Sequence, residues 1–160
     1  MALFSLKCSD LNGLDELQVE SIALFCWSDS RPLHGTAGFL DWRLCGALSR
    51  TLLANQFVGD LNESLLMPIH GQPFLRRVFV FGLGTSKNYT KPVAEEAWRK
   101  AYASLKKAGV GSVCVGLPSL RGSPSRALDF FDILARGWAD SIEVILAEPS
   151  IANSVPNVSR

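Results

Sequence analysis

The stretch Arg77-Val78-Phe79-Val80-Phe81, followed at once by Gly82-Leu83-Gly84-Thr85-Ser86, decides the fold class. The four β-branched and aromatic positions in succession after Arg77 form the strongest strand signal in the chain. The two glycines behind them free the backbone to turn sharply. A strand that ends in a glycine turn and leads to a helical segment belongs to an α/β architecture, in which ligands bind beyond the carboxyl ends of strands.

Working outward from this stretch, Ser64 to Ile69 and the run Ile22-Ala23-Leu24-Phe25-Cys26 read as further strands. Phe4, Leu6 and Cys8 alternate with polar residues as a short half-buried strand, and Asn12-Gly13 is a turn signal. Ser112 to Val115 and Ile142 to Leu146 complete the set. Asp41 is an N-cap candidate for a helix from Trp42 to about Asn55, with Gly46 inside it to permit close packing. A second helix starts near Pro92 and runs to Ala108, with Ala94, Ala97, Trp98, Ala101 and Leu105 on its apolar stripe and Gly109 beyond its end. A third begins at Ser123-Pro124, with Ser123 as its cap. The expected fold is a three-layer α/β/α sandwich with a mixed central sheet. One domain covers residues 1–148, and 149–160 is a tail or the start of a linker.

Composition narrows the function classes. Hydrophobic residues make up 48% of 160 residues, which excludes a disordered chain. Sixteen basic and fifteen acidic residues give a net charge of +1, so no global field favours nucleic acid. The basic middle of the chain is mostly one solvated helix face, with its aromatics Trp98 and Tyr102 on the core stripe and not beside the charges. Cys8, Cys26, Cys45 and Cys114 are too far apart for a Cys-x-x-Cys motif and read as reduced, mostly buried residues. There is no signal peptide pattern and no apolar run of membrane-spanning length, so a cytoplasmic location is expected. The three Asn-x-Ser/Thr matches, the last at Asn157, are then chance matches.

Two glycine loops carry the only binding chemistry that the spacing suggests. Gly82, Gly84, Thr85 and Ser86 could present successive N–H groups to an anion, although the loop lacks a third glycine or a Walker lysine. Gly116, Arg121 and Gly122 form a second candidate anion loop, which also holds Ser119 and Ser123. His34 and His70 have no ligand-like spacing, and Asp29 and Asp41 are the carboxylates near His34. No catalytic residue, metal site or cofactor is expected.

The run Pro32-Leu33-His34-Gly35-Thr36-Ala37-Gly38-Phe39-Leu40-Asp41-Trp42-Arg43-Leu44-Cys45-Gly46-Ala47-Leu48-Ser49 resembles the N-terminal domain of M17 leucyl aminopeptidases. So do Gln56-Phe57-Val58-Gly59, Glu63-Ser64-Leu65-Leu66-Met67-Pro68 and Val78-Phe79-Val80-Phe81-Gly82-Leu83-Gly84. The resemblance spans about residues 5–148 and implies a macro-domain-like fold. In that family a separate domain binds two metals and carries the catalytic signature Asn-Thr-Asp-Ala-Glu-Gly-Arg, which does not occur here. The resemblance therefore implies a non-catalytic accessory, oligomerisation or protein-interaction domain, with self-association or a catalytic domain in cis or trans as its partner. The macro-like fold implies an alternative, a module for a nucleotide-like, phosphate-containing ligand of ADP-ribose type.

Overall fold

The computed structural model describes residues 4–138 and 141–155. Six strands, β1 (Ser5–Cys8), β2 (Ser21–Cys26), β3 (Ser64–Pro68), β4 (Arg77–Gly82), β5 (Val113–Gly116) and β6 (Ile142–Ala147), form one sheet in the order β1-β6-β5-β2-β4-β3. Every neighbouring pair is parallel except β3 and β4, which are antiparallel. The expected mixed sheet is therefore present, with a single antiparallel strand at one edge.

Side-chain alternation sorts the core into two halves. On β2, Ala23 and Phe25 point to one face, while Ile22, Leu24 and Cys26 point to the other. The first face is covered by α4 (Lys91–Lys107) and α5 (Pro124–Gly137), through Trp98, Leu105, Phe130 and Leu134. The second is covered by α2 (Gly35–Arg43) and α3 (Ala47–Leu53), through Leu40 and Leu48, with Leu14 of the short α1 (Leu11–Asp15) beside them. This is the expected α/β/α sandwich. Helices on both sides explain why β2 and β4 read as unbroken apolar runs. β3, open on one face, instead alternates, with Leu65 and Met67 inward and Leu66 exposed.

The structure corrects the helix expected over 42–55. It begins earlier, at Gly35, and is interrupted by Cys45 and Gly46, which both take positive φ. Gly46 thus serves the left-handed backbone at the start of α3, and a Cβ there would meet only the flexible end of Arg50, at 3.4 Å. Asp41 does cap a helix, but the following one. From within α2 its Oδ1 accepts the N–H groups of Leu48 (2.8 Å) and Ser49 (3.1 Å), and its Oδ2 accepts the Ser49 hydroxyl. A buried carboxylate therefore welds two helices that the sequence presents as one. The Asn12-Gly13 turn is one turn of helix, capped by Asp10, whose carboxylate accepts Gly13 N–H at 2.8 Å. Ser123 sits at the N-cap position of α5 but its side chain makes no capping bond.

The stretch expected as a tail joins the domain over its described part. Pro149 starts a short helix, α6 (Pro149–Ala152), and Ile151 and Val155, four residues apart, are buried in the core against α5. Residues 156–160, with the Asn157 glycosylation match, lie outside the described residues. Of the cysteines, Cys26 and Cys114 are buried, Cys8 is half-buried and Cys45 is exposed, and none is paired. Burial pushes the Cys26 thiol up to about 12, so it is held as a neutral small hydrophobe. No helix among the described residues is long and apolar enough to cross a membrane.

The Asp41 contacts generate a stability prediction. Asp41→Ala removes the acceptor from two amides, one of them buried, and should lower unfolding free energy by about 2 kcal/mol. Urea denaturation followed by circular dichroism measures this, with a change of less than about 0.5 kcal/mol counting against the weld.

Candidate functional site

The parallel strands β2, β4, β5 and β6 all end on one rim, which is where an open α/β sheet presents its loops to a ligand. β2 lies between β4 and β5, so the two sequence-predicted glycine loops leave the sheet on opposite sides of it. They do not meet in one pocket.

On the β4 side, four of the five amides of the Gly82–Ser86 turn already have partners within the protein. Gly82 N–H donates to Glu63 C=O (2.8 Å), Leu83 N–H to Cys26 C=O (2.9 Å) and Gly84 N–H to Gly59 C=O (3.0 Å). Ser86 donates through both its N–H and its hydroxyl, each at 2.9 Å, to the Asp29 carboxylate. Those bonds hold the Asp29 carboxyl below its usual range, the Ser86 N–H contributing most. An anion would have to displace a built-in acceptor from each of these groups. Gly82 itself is required by packing, since a Cβ there would collide with the Asp60 carbonyl oxygen. Thr85 is exposed beside them.

A second nest nearby is also filled from within. The Glu63 carboxylate accepts the N–H groups of Val58 (3.0 Å), Gly59 (2.8 Å) and Asp60 (3.1 Å), three successive amides that converge as they would on a bound anion. Next to Asp29, Arg126 of α5 lies over the Trp27 and Tyr89 rings, 5.6 and 5.4 Å from their centroids, and donates to the Ser86 carbonyl. Sequence reading missed Arg126, because only the fold brings it to this rim. Asp29 and Asp41, the carboxylates flanking His34 in sequence, are thus both engaged in holding loops and helix ends.

On the β5 side the rim opens. A cleft of about 570 Å³ lies between the start of α2, the Ser119–Gly122 loop and the Glu148–Ile151 segment after β6. Arg121 and Gly122, both exposed, line it, as do Ser119, Ser150 and Ser154. Gly116 lies below and has a packing role: a Cβ there would press on Thr36 Cγ2 at 2.7 Å and Leu24 Cδ2 at 2.8 Å. His34 occupies the N-cap position of α2 and borders the cleft, without making a capping bond. Thr36 Oγ1 beside it is buried without a hydrogen-bond partner. An apolar hollow of about 410 Å³ continues over α2, floored by Phe39 and the exposed Trp42.

One residue of this cleft escaped the sequence reading. Glu148 stands immediately after β6 and accepts the Ser119 hydroxyl on Oε1. The signal available was its place, a carboxylate between a strand end and a helix-starting proline. His70 is exposed and lies 36 residues after His34 in the chain. Among the described residues, no group of three or more His, Cys, Asp or Glu is placed to hold a metal ion. The donor set for a metallopeptidase centre is not among them.

A family profile described as "Cytosol aminopeptidase family, N-terminal domain" matches residues 22–145. No curated protein matches by sequence. Among solved structures, a mutant of tomato leucine aminopeptidase superposes with a TM-score of 0.59 at 17% identity, covering 95% of this chain and 34% of that one. The chain thus spans about a third of that enzyme's length. The macrodomain of Mycobacterium tuberculosis DarG gives 0.64 at 8% identity, covering 91% and 99% of the two chains. A Trypanosoma brucei macrodomain in complex with ADP-ribose gives 0.60 at 17% identity, covering 96% and 69%. At these identities the likeness is one of fold: the sandwich is macrodomain-like.

The Glu63 nest supplies a test of the closed side of the rim. Glu63→Ala leaves three amides without their acceptor and should cost about 1–2 kcal/mol. Amide hydrogen exchange at Val58–Asp60 should accelerate in the same variant, and unchanged exchange would show that the carboxylate does not hold this loop.

Proposed function

The chain belongs to the cytosol aminopeptidase family's N-terminal domain, and from that premise we propose that it is a non-catalytic binding module whose strand-end cleft takes a nucleotide-like, phosphate-containing ligand of the ADP-ribose type. The observation that carries this reading is the cleft of about 570 Å³ at the ends of β5 and β6. Its size falls in the range of small-molecule sites, roughly 300–1,000 Å³. Its chemistry is divided in a way that suits such a ligand. Arg121 offers a cation to phosphate oxygens, and the hydroxyls of Ser150 and Ser154 offer partners to a ribose. The apolar floor of Phe39 and Trp42 alongside offers a face to a flat base. The Trypanosoma brucei macrodomain, of the same fold, is described in complex with ADP-ribose.

The loop Gly116–Gly122 supports this reading through Arg121 and Gly122 at the cleft, with Gly116 as the packed base beneath. The loop Gly82–Ser86 supports it less, because four of its five amides already have acceptors. Calorimetry with ADP-ribose should give one-to-one binding with a dissociation constant on the order of micromolar, about −8 kcal/mol. Ser150→Trp places bulk in the cleft at an exposed position and should abolish that heat without lowering the melting temperature. No heat and no thermal shift at millimolar ADP-ribose would overturn the proposal.

A second reading, as an accessory or oligomerisation domain, is favoured by Trp42 and Leu53. They stand 65% and 82% exposed on α2 and α3, where burying large apolar side chains against a partner would be favourable. The partner would be a second copy or a catalytic domain in cis or trans. Light scattering across a wide concentration range should then show a mass above that of the monomer, reduced by Trp42→Glu. A strictly monomeric particle at every concentration would remove self-association from this reading.

A further inference from the structure

Within the proposed cleft, one side chain opposes the ligand. Glu148 leaves the end of β6 and meets the other two walls at a single oxygen. Its Oε1 accepts the Ser119 hydroxyl from the loop after β5. The same Oε1 lies so close to Gly35, at the start of α2, that a Cβ on Gly35 would collide with it. Gly35 also takes a positive φ of 59°, so the close approach and the backbone conformation both require glycine there.

The carboxylate is electrostatically unsatisfied at this place. Among the described residues Glu148 forms no ion pair, and Ser119 is its one side-chain partner. Arg121, on the same loop as Ser119, lines the same cleft, and among the described residues it pairs with no carboxylate. Every other carboxylate that holds a loop at this rim accepts backbone N–H groups, as Glu63 and Asp29 do. Glu148 instead spans an open cavity. A phosphate entering between Arg121 and Gly35 would meet this negative charge at close range, where like charges repel.

We propose that Glu148 sets the ligand preference of the cleft, as a self-occupying carboxylate that holds the α2 start and the Ser119 loop together and penalises each negative charge a ligand brings. This inference rests on the nucleotide-binding reading above and adds its specificity. Removing the charge while keeping the shape should strengthen binding in proportion to ligand charge. A merely structural role, by contrast, would affect charged and neutral ligands alike.

The test is calorimetry of the full chain and of Glu148→Gln with ADP, ADP-ribose and adenosine, with melting curves confirming that both proteins are folded. Glu148→Gln should bind ADP-ribose about tenfold more tightly, ADP by a larger factor, and adenosine unchanged. Ser119→Ala, which leaves the charge but frees the carboxylate to swing away, should give a smaller gain in the same order. If the wild-type chain binds ADP-ribose and Glu148→Gln binds it equally or more weakly, this inference is overturned and the binding reading stands. Binding by Glu148→Gln alone would uphold the inference and overturn the reading that the native cleft takes this ligand. Heat from neither protein would overturn both, and an equal gain for all three ligands would reduce Glu148 to a steric plug.

Discussion

The structure depends on one constraint, the complete burial of β2 from Ser21 to Cys26. Six consecutive buried residues leave no face for water, so each backbone N–H and C=O must find a strand on either side. β4 and β5 supply those strands, both parallel to β2. Parallel neighbours cannot be joined by hairpins, so the chain must cross over a face each time, and the crossovers become the covering helices. The pattern continues past the strand's end. Cys26 C=O accepts Leu83 N–H, and Ser28 N–H donates to Gly84 C=O at 2.9 Å, so the β4 loop is drawn onto the central strand and closed. The rim is thus tight beside β4 and free to open beside β5.

Much of this was legible in the residues. The apolar runs at 22–26 and 78–81 fixed two central strands, and the stripe from Ala94 to Leu105 fixed α4, because burial on one or two faces writes itself directly into periodicity. The join between α2 and α3 was not legible. Cys45 takes a positive φ that a non-glycine residue rarely adopts, and it is held there by Asp41 reaching seven residues ahead, a contact with no sequence periodicity. The packing of 149–155 was hidden for a similar reason: only Ile151 and Val155 carry it, too few for a stripe. Strand order also escaped, since it follows from which crossovers pack and not from any strand's own residues.

The candidate site divides in the same way. Glycine loops at strand ends advertise backbone freedom, and both were visible. What sequence cannot show is whether their amides are vacant. In this chain Asp29, Glu63, Asp41 and Asp10 each turn a short carboxylate onto nearby N–H groups. A nest of amides is an anion site only while it lacks an acceptor, and these four side chains are covalently tethered acceptors at very high local concentration. An acidic residue count balanced by basic residues therefore conceals a functional asymmetry. Many of the acids near the rim are internal ligands, whereas Arg121 remains available at the cleft.

Family and fold then constrain different things. Membership in the aminopeptidase N-terminal-domain family says which half of that architecture this chain represents, and the described residues hold no metal cluster that would give it the chemistry of the other half. Open α/β sheets in general bind ligands at the strand-end rim, but a fold by itself assigns no ligand. The decision passes to the few groups that face the open part of that rim. In the proposed reading, Arg121 and the serine hydroxyls would favour a phosphate-bearing nucleotide, while Glu148 would resist it. Among the described residues neither Arg121 nor Glu148 forms an ion pair, so in this reading the cleft would discriminate by how a ligand's charge is distributed. A ligand with its phosphates placed towards Arg121 and its hydroxyls towards Glu148 satisfies both, and one that reverses them satisfies neither.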